Sequence, residues 1–118
     1  MVSMHTGTVY LLGGDREQAR DAFQEALVLN PDTIAALTAL GIMDIEDGRL
    51  ETGVDLWHRA VTRDPQQFSR LLSFGTYLWS QGETSAARPL LELFVDQAPE
   101  KEFGAERSRL QGILRSPG

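Results

Sequence analysis

The side chains best suited to chemistry in this chain are two histidines and a knot of carboxylates. His5 and His58 stand 53 residues apart. A metal site needs several ligands converging on one point, and a nucleophilic triad needs a base beside a hydroxyl and an acid to orient it. Two separated imidazoles supply neither, so solvated surface histidines are expected. Asp44, Glu46, Asp47 and Glu51 crowd the segment around Gly48 and faintly echo a calcium loop. Such a loop needs ligands at alternating positions and a distal glutamate after the glycine. That spacing is absent, and a solvated acidic turn is the expectation. Glu17, Asp21 and Glu25 repeat every fourth residue as an acidic ridge. Asp55 and Arg59 form a favourably oriented i, i+4 pair, worth roughly a few tenths of a kcal/mol on a helix. With no Gly-rich phosphate loop and no catalytic carboxylate pair, neither catalysis nor a cofactor is expected.

Composition narrows the field further. A chain of 118 residues, 42% hydrophobic and 24% charged, is one small globule's worth of sequence and can bury a core without staples. A net charge of −6 argues against binding a nucleic-acid backbone or an anionic membrane. The absence of cysteine excludes disulfides, thiolate metal sites and cysteine nucleophiles. It leaves the compartment open, with the cytoplasm as the default expectation. No apolar run is long enough to span a bilayer, and the N-terminus lacks the basic-then-apolar pattern of a secretory signal.

What organises the chain is a lattice. Pro31, Pro65 and Pro99 are spaced by 34 residues, and so are Gly7, Gly41 and Gly75, and Gly14, Gly48 and Gly82. A small-residue column follows at Ala19, Gly53 and Ala87, and a large apolar column at Phe23, Trp57 and Leu91. Within a repeat the apolar spacing is helical, as in Leu50, Val54, Trp57 and Val61. The second lattice glycine ends one helix in the left-handed conformation that costs glycine nothing. Asp15 is placed to cap the next helix, with Gln18 as reciprocal partner. The prolines open each new repeat at a position where a missing N–H does no harm. The expected helices are 1–12, 16–29, 33–46, 50–63, 66–80 and 85–97. Gly41 and Gly75 let a partner helix approach closely, and the large column fills the remaining space. Trp57 is therefore expected to be buried between the helices of repeat two.

These residues resemble the tetratricopeptide repeat, whose signature is a 34-residue period carrying W-x2-L-G-x2-Y, then A-x3-F, then P. Repeat two reads Leu37-x2-Leu40-Gly41-x2-Asp44, then Gly53-x3-Trp57, Ala60 and Pro65. Repeat three reads Leu71-x2-Phe74-Gly75-x2-Leu78, then Ala87-x3-Leu91 and Pro99. Repeat one keeps Gly7-x2-Tyr10, Ala19-x3-Phe23 and Pro31 but opens with Ser3 and Thr6. The related Sel1-like repeats have a different period. The resemblance implies an all-α, right-handed solenoid of three helix-turn-helix pairs over residues 1–33, 34–67 and 68–101. Residues 102–118 would form a capping helix on this single domain.

The same resemblance implies a non-enzymatic protein–protein interaction module, a scaffold or adaptor that takes a peptide or helix in a concave groove lined by the first helix of each pair. The groove candidates are Thr8, Leu11 and Leu12; Thr38, Ile42 and Ile45; and Leu72, Thr76 and Trp79. Chaperone-binding members grip a C-terminal carboxylate with Lys, Asn and Arg. The matching places here are Met4, Thr8, Ala39, Ser69 and Ser73, none of them basic, so an apolar or weakly basic partner segment is expected rather than an acidic tail. The partner is another protein or peptide, with neither nucleic acid nor membrane. Docking in cis within a larger protein, and homo-oligomer formation through the groove or the array's ends, are the alternatives.

Several positions depart from the lattice. The chain starts at the second place of repeat one, as a piece excised from a longer protein would. Beyond Pro99 the register slips by three, which predicts a long turn over 99–104 and a closing helix over 105–115. In that helix Leu110 and Leu114 face inward, and Glu106, Arg107, Arg109 and Arg115 face solvent; folding back into the groove is the alternative. Pro89 predicts a late start or distortion near 85–89, with Thr84 or Ser85 as cap. Asp44 in place of an aromatic, opposite Gly53 in place of alanine, predicts a small polar gap that alanine at 53 would fill with a gain of up to about 1 kcal/mol.

Overall fold

A computed structural model describes residues 16–115, and every regular element among them is an α-helix. The helices are α1 (Arg16–Leu29), α2 (Ile34–Glu46), α3 (Leu50–Arg63), α4 (Gln67–Ser80), α5 (Thr84–Gln97) and α6 (Glu100–Arg115). Two compact units divide the chain, one ending at Arg63 and the other beginning at Asp64. The helix expected over 1–12, Asp15 as a cap, and groove candidates Thr8, Leu11 and Leu12 lie outside the described residues.

In the first unit, α2 packs against both α1 and α3. The lattice glycine sits where the seam is tightest. A Cβ on Gly41 would lie 2.8 Å from Trp57 Cδ1, and one on Gly53 would lie 2.7 Å from Ile45 Cδ1. Contacts that pair 45 with 53 and 41 with 57 step in opposite directions, so α2 and α3 run antiparallel. Trp57 is 1% exposed, as its column demands. Phe23, Leu37, Leu40, Met43 and Leu56 form the core around Ala19, Ala36 and Ala60.

The turn after α2 closes as a Schellman motif. Arg49 N–H donates to Asp44 O (2.8 Å) and Gly48 N–H to Ile45 O (3.1 Å). Gly48 has φ 85°, the left-handed geometry that a Cβ would penalise. One lattice period later, Glu83 N–H donates to Leu78 O (2.9 Å) and Gly82 N–H to Trp79 O (3.1 Å), with Gly82 at φ 84°.

The inter-repeat prolines stand ahead of their helices rather than at the first helical residue. Asn30 Oδ1 accepts from Asp32 N–H (3.1 Å), and Asp64 Oδ1 accepts from Gln66 N–H (3.1 Å). These side chains close an Asx turn around Pro31 and Pro65, delaying α2 to Ile34 and α4 to Gln67. Ala98 has no such side chain, and α6 begins directly after Pro99.

In the second unit, α5 packs against α4 and α6. A Cβ on Gly75 would lie 2.6 Å from Leu91 Cδ2, the counterpart of the Gly41–Trp57 seam. The late start expected at Pro89 does not occur. Thr84–Gln97 is one helix with Pro89 as its sixth residue, capped at Glu83, whose carbonyl accepts Ala87 N–H (2.9 Å). The ring removes only the N–H that would reach Ser85, and the buried Leu90, Leu91 and Phe94 hold the rest of the helix in place.

The long turn expected over 99–104 is also replaced. α6 starts at Glu100 and kinks at Phe103 (φ −122°, ψ 22°). That kink inserts the Phe103 ring against Phe94 (5.2 Å between centroids, 74° between planes) and Phe68 (6.4 Å). Phe68 meets Phe94 edge-on at 6.1 Å, so three rings from α4, α5 and α6 share one cluster. Leu110 is fully buried, as the slipped register requires, and Leu114 is half-buried. Arg107, expected on the solvent face, instead donates from Nε to Val95 O (2.9 Å) near the C-terminus of α5, where carbonyls lack helical partners.

Candidate functional site

The described groove candidates fall on two helices, one in each unit. On α2, Thr38, Ile42 and Ile45 follow i, i+4, i+7 and begin on one stripe. Thr38 is 3% exposed, and its hydroxyl donates back to Ile34 O (3.1 Å) and Ala35 O (3.2 Å). Ile45 is likewise 3% exposed, with Cδ1 and Cγ1 each 2.7 Å from where a Gly53 Cβ would be. Ile45 therefore fills the α2–α3 seam. Ile42 alone of the three keeps a partly open side chain.

The polar gap expected between Asp44 and Gly53 is absent. Ile45 occupies the space beside Gly53, and Asp44 is engaged elsewhere. Its Oδ1 lies 2.7 Å from Arg20 Nη1 and 3.7 Å from Arg49 Nη1. Arg20 extends its other nitrogen to Asp47 Oδ2 at 3.0 Å. The Asp44 side chain is only 4% exposed, so the carboxylate is held in the α1–α2 contact by a charge from the neighbouring helix. A buried carboxylate needs such a partner, because desolvation is costly when the charge is unmatched.

On α4, Leu72, Thr76 and Trp79 repeat the same spacing, and all three remain half-buried. Thr76 donates to Leu72 O (2.8 Å), which satisfies its hydroxyl inside the helix. The Arg88 guanidinium, from α5, lies 5.5 Å from the centre of the Trp79 ring. Arg88 Nη1 also donates to Leu114 O (2.7 Å) near the end of α6. One arginine thus links a cation–π contact on α4 to a late carbonyl of α6. Arg88 escaped the reading of the sequence because its role depends on which helix faces it. The face is apolar with one positive charge seated on its aromatic.

The remaining chemically suggestive residues stay apart. His58 is exposed on α3, and His5 lies outside the described residues. Among the described residues, no three His, Cys, Asp or Glu side chains gather as metal ligands, and no helix is long and apolar enough to cross a membrane.

Two comparisons bear on this arrangement. The family model described as the tetratricopeptide repeat matches residues 2–33. A curated relative, the BBSome complex member BBS4 of Bos taurus, is 25% identical over 81 residues. That alignment covers 69% of this chain and spans only 16% of the relative's length.

Proposed function

We propose that the chain, which is similar to tetratricopeptide-repeat proteins, is a non-catalytic docking module that holds a peptide or helix of another protein on the faces of its first helices. Repeats of this family generally mediate protein–protein interaction. The observation that carries the finer reading is the stripe of Leu72, Thr76 and Trp79 on α4. Three side chains at helical spacing stay part-open although the same helix buries Phe68, Leu71 and Leu78. Ile42 is the corresponding open residue on α2. An aromatic flanked by aliphatics is a suitable anchor for an amphipathic segment. The relative's membership of a multiprotein complex is in keeping with this role.

Arg88 refines the expected ligand. Its charge is already shared between the Trp79 ring and the Leu114 carbonyl. A free terminal carboxylate would have to compete for it, and the net charge of −6 opposes an acidic ligand. The preferred occupant is an apolar, uncharged or weakly basic helix. The test is a fluorescence titration in a Trp57→Phe background, where Trp79 is the sole indole. An uncharged Leu/Gln amphipathic peptide of about 18 residues, five helical turns, should shift the Trp79 emission saturably. Leu72→Ser should weaken that binding. Tight binding of an acidic C-terminal peptide, lost on amidating its carboxylate, would overturn the reading.

A further inference from the structure

The lattice supplies its own control for the outer surface of α1. Val28 and Leu29 are 82% and 81% exposed, among the few large apolar side chains left open in the described residues. One and two periods on, the same two places hold Thr62 and Arg63 on α3, and Asp96 and Gln97 on α5, and all four are exposed. The position thus faces solvent in every repeat. Two repeats fill it with polar side chains, and only the first places an adjacent apolar pair there. Burial in the core does not explain the choice, and helix formation would be served as well by polar residues.

The helix face that leads to the pair is acidic. Glu17, Asp21 and Glu25 climb the same helix as an exposed ridge, and Leu29 continues it at the next i+4 step. Among the described residues no basic side chain pairs with these three carboxylates. Arg20 on the same helix is turned to Asp44 and Asp47. The cations that reach the end of α1 come from α3, where Arg63 pairs with Asp32 and Arg59 donates to Pro31 O. An apolar pair at the head of an acidic ridge that has no basic partner among the described residues is complementary to a segment that presents aliphatic side chains beside basic ones.

We infer that the outer face of α1 is a second docking surface, separate from the first-helix faces, and that its occupant is a basic amphipathic helix of another protein. A second copy using the same face would bring carboxylate against carboxylate, and an anionic lipid surface would meet the same repulsion. Neither objection applies to a helix whose lysines or arginines flank a leucine stripe. Binding here does not depend on Trp79 or Leu72.

The experiment is a fluorescence-anisotropy titration of a labelled Leu/Lys amphipathic peptide of about 18 residues with the full chain. A peptide of identical composition, scrambled to abolish the apolar face, is the control. Val28→Thr combined with Leu29→Arg installs the residues of repeat two and should leave helix content and thermal midpoint unchanged. The ordered peptide should bind and the scrambled one should bind distinctly more weakly. The double substitution should raise Kd by about tenfold or more. Asp21→Asn with Glu25→Gln should weaken binding and flatten its dependence on salt. Leu72→Ser should leave it unchanged, which separates this surface from the one on α4. Equal affinity of the parent chain and the Val28/Leu29 variant, equal binding of both peptides, or no binding at millimolar peptide would overturn the inference. So would self-association of the chain that the Val28/Leu29 variant abolishes.

Discussion

Replacing Gly53 with alanine adds one methyl group at the tightest point of the α2–α3 seam. Helix propensity alone favours the change by about 1 kcal/mol. The geometry opposes it. The new Cβ would lie 2.7 Å from both Cγ1 and Cδ1 of Ile45 and 3.0 Å from the Gly41 carbonyl oxygen. Ile45 is β-branched and helical, so its χ1 has little freedom to move the inner carbon away. On the other side stands backbone, which cannot yield without separating the helices. Separation would in turn loosen Trp57 from Gly41. Overpacking of this kind costs about 1–3 kcal/mol. Set against the propensity gain, the net expectation is a loss of about 1 kcal/mol. Urea denaturation followed by far-UV circular dichroism should show a lower midpoint with an unchanged slope. Ile45→Ala should largely remove the penalty, so that the double-mutant cycle reports a coupling of about 1 kcal/mol or more. A Gly53→Ala variant more stable than the parent, with no coupling to Ile45, would refute the packing argument.

Other substitutions read other seams. Trp57→Ala should cost about 3–5 kcal/mol, because a side chain 1% exposed is removed from over Gly41; a denaturation midpoint near that of the parent would show the register to be wrong. Asp44→Ala should cost about 1–3 kcal/mol by leaving Arg20 with Asp47 alone, whereas Arg20→Met with Asp44→Leu should recover most of that loss in the same melt. Phe103→Ala should cost about 3 kcal/mol or more by opening the three-ring cluster, and hydrogen exchange should then quicken first in α6.

The periodic part of this molecule was legible because periodicity is local. The 34-residue glycine and proline columns place α1 and α3 at their observed bounds, and Gly48 and Gly82 adopt the left-handed turn their spacing demands. What escaped the sequence depends on the register between helices. Arg20 and Asp44 are 24 residues apart, on no i, i+4 pattern, and they meet only because α1 lies against α2. Ile45 shares a stripe with Ile42, yet the roughly 60° that separates them around the helix is enough to send Ile45 into the Gly53 space. Arg88 reaches Trp79 from another helix, and Phe103 enters the core through a kink that follows from no consensus position. Val28 and Leu29 were visible as letters, but their exposure was not. Only the comparison with Thr62, Arg63, Asp96 and Gln97 at the same lattice places gives that exposure meaning.

The central claim, that the first-helix faces hold a partner segment, is tested most directly by an amide-resolved NMR titration of the chain with the uncharged Leu/Gln amphipathic peptide. Saturable shifts should concentrate around Leu72, Thr76 and Trp79 on α4, and should diminish together in Leu72→Ser. Shifts confined to exposed residues of α1 or α3, or no saturable shift at millimolar peptide, would contradict it.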